Sequence, residues 1–297
     1  MGNRMRNRKG LAVFIILLLT LFIGQGSFAG DRGNKKHKKT GILLVAFGSS
    51  LPEAQVSFKN IDRKVKAAFP KIPVRWAYTS SIIRKKLAKQ GKYLDSPKEA
   101  MIKMSEEGFT HVAAQSLHTI GGKEYNEILR SVRRFQDSGG FESIRVGNPL
   151  LYTQEDLGKM TKALLENIPK ERTKDDGVVF MGHGTHHPSN AFYAALMFQI
   201  QRKDPNVFIG TVEGYPKIDD IKEMLLEKKI EKAYLMPLLS VAGDHARKDM
   251  AGDDEKSWTS ILTKMGIEII PILKGTAEYD NVVEIWVGHL GAELAYF

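Results

Sequence analysis

Three short segments of this 297-residue chain carry side chains that could act on one ligand: Gly182-His-Gly-Thr-His-His-Pro188, Val212-Glu-Gly-Tyr-Pro216 and Leu239-Ser-Val-Ala-Gly-Asp-His-Ala246. Each begins where an apolar, strand-like run ends, so His183, Glu213 and His245 occupy equivalent places in successive repeats. Two imidazoles and one carboxylate are a borderline-hard set suited to Co²⁺, Fe²⁺, Ni²⁺ or Zn²⁺. With only three protein ligands, positions stay open for an exchanging group. A neutral imidazole is also a good proton acceptor near neutral pH. The chain has no cysteine, which excludes thiolate metal sites, iron–sulfur clusters and cysteine nucleophiles.

Glycines flank these side chains. Gly182 and Gly184 bracket His183, and Gly210 and Gly214 bracket Glu213, where backbone must turn sharply or approach a ligand closely. No phosphate-cradling glycine loop ending in Gly-Lys-Ser/Thr is present, and no GxGxxG follows the first strand, so no nucleotide cofactor is expected. The remaining histidines read more plainly. His186 and His187 precede Pro188 and are expected at a helix start or rim. His111 opens a strand and reads as structural, and His37 and His289 carry no assigned role.

The elements that must position these groups alternate between strand and helix. Gly41–Phe47, Val74–Thr79, His111–Leu117 and Ile144–Val146 are strand-like, with helical patterns near 52–69, 82–89, 96–108 and 124–135. Continuous apolar runs such as Ile42–Phe47 suit strands buried on both faces. Ser96-Pro-Lys-Glu99 is a capping box with proline at the first helical position. After a boundary near Leu150–Thr153 the pattern repeats, with strands at Val178–Met181, Val207–Thr211, Ala233–Leu238 and Glu268–Ile272. The expected fold is α/β: two similar lobes, each a four-stranded parallel sheet flanked by helices, with a cleft between them. The lobes are placed at 40–150 and 151–297. Leu44-Val-Ala-Phe-Gly48 parallels Val179-Phe-Met-Gly182, which points to an ancient duplication.

Ligands of open parallel sheets bind beyond the carboxyl ends of the strands. In the first lobe those ends read Phe47-Gly-Ser-Ser50, Tyr78-Thr-Ser-Ser81 and Ser116-Leu-His118, which are hydroxyls and one histidine. Ser49, Ser80 and His118, with Arg84 after the second strand and Gly184 of the other lobe, are therefore candidates for holding a substrate rather than a metal. Arg247 and Lys248 could likewise meet an anionic substrate at the cleft mouth. Asp249, Asp253, Asp254 and Glu255 are expected to include the caps of the helix containing Trp258.

The formal net charge of +10 suggests nucleic acid only until its location is considered. Arg4, Arg6, Arg8 and Lys9 precede an apolar run from Leu11 to Ile23, followed by small residues ending in Ser27-Phe-Ala29. This describes a secretory signal at 1–29 cut after Ala29, with a run too short for a stable membrane span. Residues 30–39 add five basic side chains against one acid and read as a disordered basic tail. What remains is close to neutral, so no nucleic-acid partner is expected. The expected location is periplasmic. A homo-oligomer is left open.

Taken together, the three second-lobe segments, extended to Gly210-Thr-Val-Glu-Gly-Tyr-Pro216 and to Asp249-Met-Ala-Gly252, resemble the anaerobic cobalt chelatases, the sirohydrochlorin cobaltochelatases of the class II chelatase superfamily. The first-lobe segments Val45-Ala-Phe-Gly48, Ser80-Ser-Ile-Ile-Arg84 and Gln115-Ser-Leu-His118 fit the same family. The resemblance spans nearly all of 40–297. It implies a bilobal fold holding sirohydrochlorin or a related anionic tetrapyrrole between the lobes, and ATP-independent insertion of Co²⁺. It carries His183, Glu213 and His245 over as metal ligands, and His183 additionally as acceptor of the pyrrole protons. An export signal departs from the cytoplasmic setting of cobalamin assembly. The alternative expectation is therefore a periplasmic metal or haem binding or transport protein, or an iron chelatase, on the same fold.

Overall fold

The structure, a computed structural model, describes His37–Phe297. The expected signal segment 1–29 and most of the basic tail lie outside the described residues. The described end of that tail is held in place. Lys39 N–H donates to Thr110 Oγ1 at 2.9 Å, and the Lys39 carbonyl accepts from the backbone N–H groups of Thr110 and His111. The parallel pairing of β1 with β3 is thus extended by hydrogen bonds to Lys39, one residue before Thr40.

The first sheet is built from β1 (Thr40–Ala46), β2 (Val74–Tyr78), β3 (His111–Ser116) and β4 (Ser143–Gly147). Its helices are α1 (Gln55–Ala68), α2 (Ser81–Ala88), α3 (Pro97–Glu106) and α4 (Lys123–Asp137). Helix α5 (Gln154–Glu166) leads into β5 (Gly177–Gly182), α6 (Ala191–Gln201), β6 (Val207–Thr211), α7 (Ile218–Glu227), β7 (Lys232–Leu238), α8 (Trp258–Thr263), β8 (Glu268–Pro271) and α9 (Asp280–Leu294). Both sheets are wholly parallel and share one strand order, β2-β1-β3-β4 and β6-β5-β7-β8. The expected two-lobed α/β architecture is present.

Local chemistry accounts for the helix starts. Ser96 accepts from Glu99 N–H while the Glu99 carboxylate accepts from Ser96 N–H, closing the expected box. Thr153 and Asp156 do the same for α5. The central strands β1 and β5 are buried along almost their whole length because helices cover both sheet faces.

The domain boundary expected from sequence does not describe the packing of the last helix. α9 leaves the second lobe and lies against β3, β4 and α1 of the first, with α5 alongside. The reason is its composition: Val282, Val283, Ile285, Trp286 and Leu290 are all buried, an apolar surface too broad for one neighbour to cover. Arg145 Nε donates to Glu293 Oε2 at 2.6 Å, and His289 in α9 lies 2.8 Å from Asp156 Oδ1 and 3.1 Å from the Asn148 carbonyl. His289 thus fastens α9 to α5. One apolar cluster runs from Ile42 and Leu44 through Met160, Leu164 and Trp286 to Phe180 and Ile209, so the two sheets share a core. Separate clusters fill the outer face of each sheet.

Candidate metal centre

Because β5 lies between β6 and β7, the loops after these three strands are neighbours at one sheet edge. That strand order brings residues 183, 213 and 245 together from distant parts of the chain. The imidazole rings of His183 and His245 meet edge to face, with centroids 4.7 Å apart and planes at 88°. Glu213 Oε2 lies 3.9 Å from His183 Nδ1. All three side chains remain 40–55% exposed, so a substrate can reach them. They are neighbours, although among the described residues no three His, Cys, Asp or Glu side chains converge as a ready-made metal cage.

The loops are pressed together. Glu213 N–H donates to the His183 carbonyl at 2.8 Å, and Val212 N–H donates to that of Gly182 at 3.1 Å. Gly184 has φ +77°, and a Cβ there would stand 2.4 Å from Gly214 N, so glycine is required on both conformational and steric grounds. A Cβ on Gly182 would meet the buried Tyr193 ring at 2.6 Å. Asn190 clasps both loops, accepting from Thr185 N–H at 3.0 Å and donating to the Tyr215 carbonyl at 2.7 Å.

Hydrogen bonds also set the tautomers. His183 Nδ1 is 2.9 Å from the Gly184 carbonyl, which can only accept, so Nδ1 carries the proton and Nε2 keeps its lone pair. His245 begins a π-helical turn, His245–Met250, and its Nδ1 lies 2.5 Å from Asp249 Oδ2. Asp249 is thereby engaged with a histidine and does not cap the next helix. Ser257 caps α8 by accepting from Ser260 N–H, and Asp254 accepts from Lys256 N–H in the preceding turn. The expectation that the acidic run caps α8 fails because a hydroxyl at the cap position itself fits the geometry.

The first-lobe candidates divide. Ser49 is buried and lies across the seam from the His245 loop, its Oγ 3.8 Å from where a Cβ on Gly243 would sit. Ser80 is the N-cap of α2, accepting from Ile83 N–H at 3.3 Å. Arg84 turns one guanidinium nitrogen toward Glu99 of α3 at 3.6 Å, while its buried Nε has no partner. His118 sits between Ser116 Oγ at 3.0 Å and Thr79 Oγ1 at 3.4 Å, and burial pushes its imidazole down to about 4, so it is neutral at neutral pH. His187 caps the turn Pro188–Asn190 as expected and reaches Asn126 of α4 at 3.3 Å, a second link across the seam. His186 is exposed, and His111 packs its ring against Phe297.

Sequence reasoning missed Asp249, Asn190 and Thr79. Asp249 had a legible signal, standing four residues after His245 on a helical stretch. Asn190 acts on the backbone of two loops and Thr79 through its hydroxyl on His118, pairings that no spacing announces. Two cavities, of about 440 and 210 Å³, open beside α1; the smaller reaches Ser49 and Ser50, and neither is lined by the histidines.

Two matched parallel sheets in tandem, with histidine-bearing loops at the carboxyl edge of one facing serine- and histidine-bearing loops of the other, define a bilobal α/β protein of the chelatase fold class. Solved structures agree. SirB from Bacillus subtilis with Fe³⁺ superposes with a TM-score of 0.58 at 16% identity, covering 86% of this chain and 96% of that one. CbiX, the terminal enzyme for sirohaem biosynthesis in denitrifying bacteria, gives 0.54 at 16% identity over 85% and 98%. Within that class the chain belongs to the cobalt chelatase (CbiK) family, whose sequence model matches residues 40–294, and it is an enzyme of that family. It is 45% identical to the sirohydrochlorin cobaltochelatase CbiKC of Nitratidesulfovibrio vulgaris (strain Hildenborough), over 86% of this chain and 91% of the relative. It is 36% identical to the sirohydrochlorin cobaltochelatase of Salmonella typhimurium (strain LT2), over 85% and 95%.

Proposed function

We propose that this chain inserts Co²⁺ into sirohydrochlorin at the seam between its two sheets, with His183, Glu213 and His245 as the ligands that deliver the metal. The observation that carries this reading is the contact of the His183 and His245 rings beside the Glu213 carboxylate, on three adjacent loops open to solvent. The names of the two chelatase relatives supply the substrate.

Insertion requires that Co²⁺ lose water, that two pyrrole N–H protons leave, and that the ring nitrogens reach the metal. Three protein ligands leave coordination positions free, so pyrrole nitrogens can replace water and then protein groups one at a time. His183, its Nδ1 proton held by the Gly184 carbonyl, offers Nε2 either to the metal or to a pyrrole proton. No bond energy from a nucleotide is needed, since four ring nitrogens bind the ion more tightly than the three protein groups. The same ligand set accepts Fe²⁺, Ni²⁺ and Zn²⁺, so preference for cobalt rests on ring and supply rather than on these groups alone. Carboxylate arms of the macrocycle would meet Arg247 on the second lobe and Arg84 on the first, each with a buried Nε free of partners among the described residues.

The reading includes export. Residues 1–29 would direct the chain to the periplasm and be removed after Ala29, and a purified periplasmic form beginning at Gly30 would support this. No described helix is long and apolar enough to cross a membrane.

The test of function is turnover. Anaerobic incubation of the protein with Co²⁺ and sirohydrochlorin should convert the metal-free absorption spectrum to that of the cobalt complex faster than an enzyme-free control. Stoichiometric binding of either ligand without acceleration would contradict the proposal and leave a carrier.

A further inference from the structure

We infer that Asp249 is a positioning residue for His245: it holds the Nδ1 proton and so commits the Nε2 lone pair to the incoming metal. This rests on the metal reading above. A carboxylate at the 2.5 Å found here accepts and cannot donate when ionised, so the proton between them sits on or toward Nδ1. Asp249 makes no other side-chain hydrogen bond or ion pair among the described residues. Its carboxylate is about half exposed.

The mount is rigid. The pair sits on a π-helical turn closed by an Ala251 N–H to Ala246 carbonyl bond of 3.2 Å. Ala246 and Met250, on the turn's inner face, are fully buried in the apolar cluster that holds Trp258. A Cβ on Gly252 would stand 2.5 Å from the Lys248 carbonyl, so the chain leaves the turn with no slack. The loop leading into it is braced as well, since Thr276 and Ala277 donate their N–H groups to the carbonyls of Leu239 and Ser240.

His183 reaches the same state by different means, its Nδ1 occupied by a main-chain carbonyl. Two unrelated acceptors therefore leave the same nitrogen free on two touching rings. A carboxylate behind a ligating histidine also raises the basicity of the metal-facing nitrogen. Asp249 stands behind His245 in the place such a carboxylate takes, whereas a main-chain carbonyl fills that place behind His183.

The experiment combines imidazole ¹⁵N NMR of the metal-free full chain with Co²⁺ binding followed by calorimetry, in Asp249→Ala, Asp249→Asn and His245→Ala. The wild-type spectrum should show His245 as the single Nδ1–H tautomer, and Asp249→Ala should mix the tautomers. Asp249→Ala should weaken Co²⁺ binding about 10–100-fold, whereas Asp249→Asn, whose amide oxygen still accepts, should stay within a few-fold of wild type. A wild-type Nε2–H tautomer would overturn the inference. So would wild-type Co²⁺ affinity in Asp249→Ala, or equal losses in the alanine and asparagine variants. If His245→Ala itself binds Co²⁺ normally, the metal reading fails rather than the positioning role.

Discussion

The backbone N–H of Glu213 donates to the carbonyl of His183 at 2.8 Å, so two proposed metal ligands are joined through their main chains as well as placed side by side. That junction depends on Gly184, whose φ of +77° and contact with Gly214 leave no room for a side chain. Gly184→Ala should cost about 2–4 kcal/mol, combining the left-handed penalty with displacement of the Gly214 backbone. It should also weaken Co²⁺ binding as the loops part. Urea unfolding and Co²⁺ calorimetry on the same variant check both effects, and a wild-type result in both would show that the junction is dispensable.

Removing a ligand should have the opposite balance of effects. His183→Ala, Glu213→Ala and His245→Ala each delete a substantially exposed loop side chain, so the melting temperature should move by no more than about 3 °C. Insertion should fall at least about 100-fold in each histidine variant, since a metal held by two protein groups is released before the ring engages. Initial rates under anaerobic conditions, compared with the melting curves, separate this from unfolding.

His118 gives the chain a specific acid sensitivity. Burial holds its imidazole at about 4 in the folded protein, against about 6.5 in an unfolded chain. Between those values the unfolded state binds the extra proton, so stability is flat above about pH 6.5 and falls as pH drops toward 4, by at most about 3 kcal/mol. In His118→Gln that slope should flatten. Denaturation midpoints measured at intervals from pH 7 to pH 4 report it directly.

The Asp156–His289 contact makes the complementary prediction. Burial alone would raise the Asp156 carboxyl, but hydrogen bonds from His289 and Thr153 outweigh it and hold the group below the usual carboxylate range. The stabilisation is present above about pH 3.9 and is lost as pH falls through the lower folded value. Asp156→Ala should destabilise by about 2 kcal/mol at neutral pH, because it removes the hydrogen-bond partner of the largely buried His289 ring and half of the capping box at the start of α5. Since this pair fastens α9 to α5, hydrogen exchange should quicken in α9 more than in β5. Uniform quickening would mean that α9 is not separately anchored.

Sequence carried the strands and the ligand loops well, because both rest on local signals. Buried parallel strands are continuous apolar runs, and a histidine or glutamate immediately after each run is at the sheet's carboxyl edge whatever surrounds it. It did not carry the return of α9. Nothing in Asp280–Leu294 says which lobe its broad apolar surface will cover, and Arg145, Asn148 and Asp156, which hold it, precede it by more than a hundred residues. Asp249 was misread for a different reason: an acidic run before a helix suits a cap, and that reading hid the local spacing of four residues that sets it against His245. The cleft candidates show the same limit. Ser49 faces the second lobe, while Ser80 is taken up in capping its own helix, though both occupy equivalent strand ends.

The most direct measurement is anomalous diffraction at the cobalt edge from crystals of the protein equilibrated with Co²⁺. The account predicts one strong peak bounded by His183 Nε2, His245 Nε2 and the Glu213 carboxylate, with His245 Nδ1 still on Asp249. A cobalt peak elsewhere, or one at this site coordinated without His245, would contradict it.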